Sequence, residues 1–115
     1  MKIRIKGNSI RFRVTQTELA QLAAGAALRD TTEFAPGRQL TWVLESSACV
    51  EMESSLDGAT VSVRLPASAV GDWARTDSEG LYGRSGALDI SVEKDFRCLH
   101  RAGSPDDVDA FPRPN

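Results

Sequence analysis

Basic side chains alternate along two short segments near the start of the chain and could bind an anion. Lys2 and Arg4 lie in the first segment, and Arg11 and Arg13 lie in the second. The Gly7-Asn8 pair between them is typical of a two-residue β-hairpin turn. This turn predicts that Arg4 lies opposite Arg11 and that Lys2 lies opposite Arg13. Because like charges directly across a hairpin destabilise it, we expect a compensating carboxylate or a bound anion such as phosphate.

Acidic residues in the second half could compensate this charge or hold a metal ion. Glu51 and Glu53 alternate before an Asp57-Gly58 turn, which predicts that Glu51 lies opposite Arg64. Arg13 has no such partner in its own hairpin, and we expect its carboxylate in the other half of the chain or in a second chain. If the face is enclosed, the site of a metal-dependent phosphohydrolase is expected, with a divalent cation on Glu51, Glu53 and Glu93 and phosphates on Arg4, Arg11, Arg13 and Arg64.

The elements that position these residues are predicted to occur twice, as pseudo-repeats 1–47 and 48–96. In each half an alternating hairpin leads into a short apolar helix, which begins with a Thr15-x-x-Glu18 capping box in the first half and at Pro66 in the second. Two further strands follow each helix. We therefore predict an α+β domain over residues 1–100, in which two β-β-α-β-β units form an antiparallel sheet or an eight-stranded barrel with two short helices, followed by an extended tail over 101–115.

Composition excludes several classes of protein. The 115 residues suffice for one domain, and a net charge of -2 disfavours nucleic-acid binding through bulk positive charge. No apolar run reaches the length of a membrane helix, and the alternating first residues predict a strand rather than a signal peptide, so we expect a cytoplasmic protein. The single histidine leaves Cys98-x-His100 with Asp106 or Asp107 as a weak metal-site alternative.

Two stretches carry a resemblance to known proteins. The opening Met1-Lys2-Ile3-Arg4-Ile5-Lys6-Gly7-Asn8-Ser9-Ile10-Arg11 and the later Val92-Glu93-Lys94-Asp95-Phe96-Arg97-Cys98-Leu99 resemble a family of small bacterial proteins without an assigned function. A remote architectural likeness connects the doubled, charged unit to CYTH-type triphosphate tunnel barrels. Glu51-Met52-Glu53 matches the first part of their Glu-x-Glu-x-Lys strand, whereas Ser55 stands where the lysine is due.

Three functional hypotheses follow. In the first, the protein is a non-catalytic module that binds an anionic small molecule or partner and needs no cofactor, through Lys2, Arg4, Arg11, Arg13 and Arg64. The second is the CYTH-like phosphohydrolase with its divalent cation, which the likeness implies and which requires a closed, charged interior. In the third, the chain is a structural subunit whose open sheet edges pair in a homodimer. No membrane or nucleic-acid partner is expected.

Overall fold

The computed structural model describes residues 1–96 and shows the predicted succession of strands and helices. In chain order the elements are β1 (Lys2–Lys6), β2 (Ser9–Val14), α1 (Gln16–Ala23), β3 (Leu28–Ala35), β4 (Arg38–Ser47), β5 (Glu53–Asp57), β6 (Thr60–Pro66), α2 (Ala67–Arg75), β7 (Gly80–Ser85) and β8 (Leu88–Lys94). The order β-β-α-β-β thus occurs twice, although a duplication of the sequence itself stays a prediction. The tail predicted over 101–115 lies outside the described residues.

The strands form two separate four-stranded sheets. The first sheet has the order β1-β2-β8-β7, and the second has the order β3-β4-β6-β5. Hairpin neighbours are antiparallel, but the central pairs β2–β8 and β4–β6 are parallel. The α+β class is confirmed, whereas the purely antiparallel sheet and the eight-stranded barrel are both wrong. The physical reason is that the chain changes sheet after each helix, so each sheet combines an early hairpin of one half with a late hairpin of the other.

The first hairpin has the predicted register. Lys2 lies opposite Arg13 and Arg4 lies opposite Arg11, with Ile3 and Phe12 paired on the other face. Gly7 has a φ of 54°, the left-handed conformation that a tight two-residue turn requires and that glycine adopts without steric cost. Turn chemistry and side-chain alternation agree here, and both select the same register.

The register predicted for the second hairpin is wrong by two residues. Glu53, not Glu51, lies opposite Arg64, because the loop consists of Gly58 and Ala59 rather than Asp57 and Gly58. Gly58 has a φ of 60° at the first loop position, which is the position that Gly7 has in the first hairpin. The predicted register depended on an Asp57-Gly58 turn with Gly58 at the second loop position, and the shift of Gly58 to the first position moves every pair by two residues.

The two helices and both sheets share one apolar core. Each helix buries two large apolar side chains there: Leu19 and Leu22 of α1, and Val70 and Trp73 of α2. Trp73 is only 1% exposed and packs with core residues from both sheets, while Trp42 is partly buried against the same cluster. Neither α1 nor α2 has the length and apolar content needed to cross a membrane, and no other helix occurs within residues 1–96.

Candidate anion site

Four basic side chains of the first hairpin line one surface pocket of the first sheet. Its lining consists of Ile3 and the predicted anion ligands Lys2, Arg4, Arg11 and Arg13, and its volume is about 390 Å³. The hairpin register brings these ligands together, because alternation places all four on the face opposite Ile3 and Phe12. We call this the basic pocket.

Glu93 on β8 lies beside the basic pocket. The parallel β2–β8 pair sets Arg13 opposite Glu93, so the predicted carboxylate in the other half of the chain is confirmed. The distance from Nε to Oε1 of Glu93 is 3.7 Å for Arg13 and 3.8 Å for Arg11. These distances allow charge attraction but exceed those of hydrogen bonds, so Glu93 attracts both arginines without engaging either Nε–H tightly.

Tyr82 on β7 contacts the other oxygen of the same carboxylate. Its hydroxyl donates a hydrogen bond of 3.0 Å to Oε2 of Glu93, whose side chain is only 15% exposed. Loss of solvent around the hydroxyl, followed by the hydrogen bond and the negative charge of Glu93, raises the pKa of Tyr82 to about 12. Tyr82 therefore stays neutral around pH 7 and binds one oxygen of Glu93, while Arg11 and Arg13 lie near the other.

The charge of the basic pocket is only partly compensated. Lys2 forms an ion pair of 3.2 Å with Asp95, and Glu93 contacts Arg11 and Arg13. Arg4 makes no ion pair with any residue of the described part of the chain. Within residues 1–96, the two carboxylates of Glu93 and Asp95 thus lie against four positive charges, on a protein whose formal net charge is -2. The pocket is thus locally positive on an acidic protein.

Arg64, the fifth predicted anion ligand, lies away from the basic pocket. It is on β6 in the second sheet, where its Nε donates a 3.0 Å hydrogen bond to Oε1 of Glu53. The predicted contact between Arg64 and Glu51 is wrong, because the second hairpin has the shifted register described above. Arg64 is therefore not part of the basic pocket.

The three predicted metal ligands are not brought together. Glu53 lies on β5 in the second sheet and Glu93 on β8 in the first. Glu51 is exposed before β5 and lines a second pocket of about 290 Å³ with neighbours that include Tyr82 and Arg84. Within residues 1–96, no group of three or more His, Cys, Asp or Glu residues could hold a metal ion. Cys98 and His100 lie outside the described residues.

The contact of Tyr82 with Glu93 is not evident from the sequence. The segment around Tyr82 is a strand, as predicted. Tyr82 and Arg84 of β7 lie on the outer face of the sheet, the same face as Asp89 and Glu93 of the neighbouring strand β8. The missing information was the β2–β8 pairing, which brings that face next to the arginines. An alternation pattern shows which face a side chain is on, but it does not show which strand lies beside it.

A family model matches residues 1–115, the whole chain. The chain belongs to DUF7009, a family of unknown function. This assignment confirms the expected membership in a family without an assigned activity, and it brings no substrate or partner with it. No curated protein and no solved structure matches the chain.

Proposed function

We propose that this protein is a non-catalytic module that binds a phosphate-type anion in the basic pocket. The observation that carries the proposal is the lining of that pocket, in which Lys2, Arg4, Arg11 and Arg13 surround one space of about 390 Å³. Binding sites for small molecules have volumes of roughly 300–1,000 Å³. A diphosphate, a triphosphate or a phosphorylated small molecule is therefore of suitable size.

The chemistry of the lining favours oxyanions. Each guanidinium presents a planar set of N–H donors that matches two phosphate oxygens at once, and Lys2 adds a mobile point charge. Arg4 is the strongest candidate for direct contact, because it is exposed and has no carboxylate partner among the described residues. Arg11 is a second candidate, because its Nε lies 3.8 Å from Glu93. At physiological salt the screening length is about 8 Å, so basic side chains on adjacent strands act together on one bound anion.

Binding is favoured over hydrolysis by the open position of the pocket. Phosphohydrolysis of the tunnel type requires an enclosed face, since charge stabilisation is strong where water is excluded. Here the pocket lies on the outer face of an open sheet, and Glu53 and Glu93, two of the glutamates expected to hold a divalent cation, lie in different sheets. The binding proposal needs no metal and no other cofactor.

Thermal unfolding with added anions tests the proposal. Phosphate, pyrophosphate and triphosphate should raise the melting temperature of the wild type more than chloride does at matched ionic strength, because a ligand that binds only the folded state stabilises it. The double substitution Arg4→Gln and Arg11→Gln should abolish the additional rise. Arg38→Gln with Arg75→Gln removes the same charge from exposed positions outside the pocket and should leave the rise intact.

Two results would contradict the proposal. One is a wild type that phosphate and triphosphate stabilise no more than chloride. The other is an equal loss of the anion effect in both double variants, which would indicate dependence on total charge rather than on the basic pocket. Titration calorimetry with triphosphate then gives the stoichiometry, for which we expect one site per chain.

A further inference from the structure

Strand β3 is an open edge of the second sheet and is unusually exposed. All its residues after Leu28, from Arg29 to Ala35, are exposed on both faces, and Phe34 is 72% exposed. β3 pairs with β4 on one side, and no described strand pairs with its other side. An exposed edge presents unpaired backbone N–H and C=O groups to another strand.

The orientation of the backbone shows which residues of β3 face the open edge. Thr31 lies opposite Thr41, and the N–H of Thr41 donates to the oxygen of Ala59 at 2.9 Å, on the side away from β3. The N–H of Thr31 donates to Oδ1 of Asp30 at 3.0 Å and not to β4. Thr31 therefore directs its backbone groups outward, and Arg29 and Glu33 do the same, because orientation alternates with a period of two.

We infer that β3 pairs with β3 of a second copy of this chain in an antiparallel, two-fold symmetric dimer centred on Thr31. In this register Thr31 lies opposite Thr31 of the second copy, and Arg29 lies opposite Glu33 of the second copy. Symmetry generates the Arg29–Glu33 pair twice. All three residues have outward backbone groups, so each opposing pair exchanges both of its backbone hydrogen bonds.

Charge selects this register over its neighbour. Centring the pair on Asp30 would place Asp30 opposite Asp30 of the second copy, and like charges directly across a strand pair are unfavourable. The register centred on Thr31 places opposite charges together instead. The residues that pair in this register, 29–33, also lie before the bulge of β3, which occurs between Glu33 and Ala35.

The other sheet edges are less suited to self-pairing. A copy of β1 against itself, centred on Arg4, would place Lys2 opposite Lys6 of the second copy. The edges β5 and β7 contact each other within one chain, through a hydrogen bond of 2.9 Å between the hydroxyls of Ser54 and Ser85. β3 thus combines backbone groups that face the open edge with self-complementary charge.

In the single chain, the side chain of Asp30 competes with dimer formation. Its carboxylate accepts the Thr31 N–H that the second copy would otherwise use, so pairing requires the side chain to turn away. Self-association is therefore concentration-dependent, and Asp30→Ala should strengthen it. The inference uses the second sheet and is independent of the anion site.

Sedimentation velocity and light scattering of the full chain test the inference through charge reversal. Arg29→Glu and Glu33→Arg should each weaken self-association by about tenfold or more, because each creates two like-charge pairs. An equimolar mixture of the two variants should recover the dimer, since both cross-strand pairs of the mixed dimer then join one glutamate and one arginine. Circular dichroism checks that both variants keep the wild-type fold.

The outcomes separate the proposal from its alternatives. A wild type that stays monomeric up to about 1 mM overturns it. A dimer that both single variants retain uses another surface, which also overturns it. If the single variants are monomeric and their mixture stays monomeric as well, the strand register centred on Thr31 is wrong.

Discussion

Tyr82 and Glu93 are joined across the β7–β8 pair by a hydrogen bond of 3.0 Å from the tyrosine hydroxyl to Oε2. The other oxygen of Glu93 lies near the Nε atoms of Arg11 and Arg13. One carboxylate thus connects the edge strand β7 to the basic hairpin. We expect Glu93 both to keep Tyr82 protonated and to compete with an incoming anion for the arginines.

Titration of Tyr82 tests the first of these effects. It is the only tyrosine in the chain, so near-ultraviolet absorbance of tyrosinate reports it alone. We expect a midpoint near pH 12 in the folded wild type, and a lower one in Glu93→Gln, because the substitution removes the negative charge. Glu45→Gln, in the second sheet, should leave the midpoint unchanged. An identical midpoint in the wild type and Glu93→Gln would show that the carboxylate does not affect Tyr82.

The same shift predicts how stability depends on alkaline pH. The folded pKa of Tyr82, about 12, lies above its ordinary value of 10, so the folded state keeps the proton that the unfolded state loses. The contribution is therefore complete below pH 10 and is lost as the pH rises from about 10 to 12. Urea unfolding across this range should show a steeper loss of stability for the wild type than for Tyr82→Phe.

Glu93→Gln should also strengthen anion binding, if the basic pocket is the site. Removing the competing carboxylate charge leaves a larger positive excess around Arg11 and Arg13, and we expect triphosphate affinity to rise about threefold to tenfold, equivalent to about 1 kcal/mol. Glu45→Gln is a matched control, since Glu45 lies opposite Arg64 in the parallel β4–β6 pair. Titration calorimetry measures both. Weaker binding in Glu93→Gln would show that Glu93 positions the arginines rather than competing.

The carboxylate of Glu18, at the start of α1, should make the stability of the protein depend on pH in the acidic range. Burial acts to raise the pKa of Glu18, but hydrogen bonds from the Met1 amino group and from Thr15, with the positive charge of Met1, outweigh it and lower the pKa below 4.5. Because the folded pKa is depressed, the stabilisation is present above pH 4.5 and is lost as the pH falls through the lowered value. Urea unfolding of Glu18→Gln should therefore show a free energy of unfolding that falls less steeply as the pH is lowered.

Thr15→Ala removes the hydroxyl that accepts a hydrogen bond from the Glu18 N–H, and it should lower the free energy of unfolding by about 1 kcal/mol at pH 7.

Two glycines should respond to alanine with opposite signs. Gly71 lies inside α2, and a Cβ there would meet Nη1 of Arg75 at 3.4 Å, an atom at the end of a flexible side chain. Gly71→Ala should therefore stabilise the protein by about 0.5–1 kcal/mol through helix propensity. A Cβ at Gly80 would instead overlap the backbone oxygen of Val92, so Gly80→Ala should destabilise by about 1–3 kcal/mol. Equilibrium unfolding of both variants checks the pair, and a stabilising Gly80→Ala would contradict the close packing of β7 on β8.

Local features of the sequence predicted the parts of the fold that depend on neighbouring residues. The Gly7-Asn8 turn and the period-two alternation determined the first hairpin, so the residues of the basic pocket could be named in advance. The capping box predicted the start of α1, and its geometry is present at Thr15 and Glu18. The predicted register of the second hairpin is wrong because Gly58 lies at the first loop position and not at the second, a choice that the dipeptide Asp57-Gly58 did not reveal.

By itself, then, the sequence determined the order of strands and helices, the faces of the first hairpin and its cluster of like charges. These properties follow from turn chemistry, side-chain alternation and helix capping, which act over a few residues. Only the tertiary structure decided that β2 lies beside β8 and β4 beside β6, and hence that Glu93 and Tyr82 adjoin the basic hairpin. Many strand orders would bury the same apolar faces, so local pattern leaves the choice open. Packing of both sheets and both helices around one core, which includes the buried Trp73, selects among them.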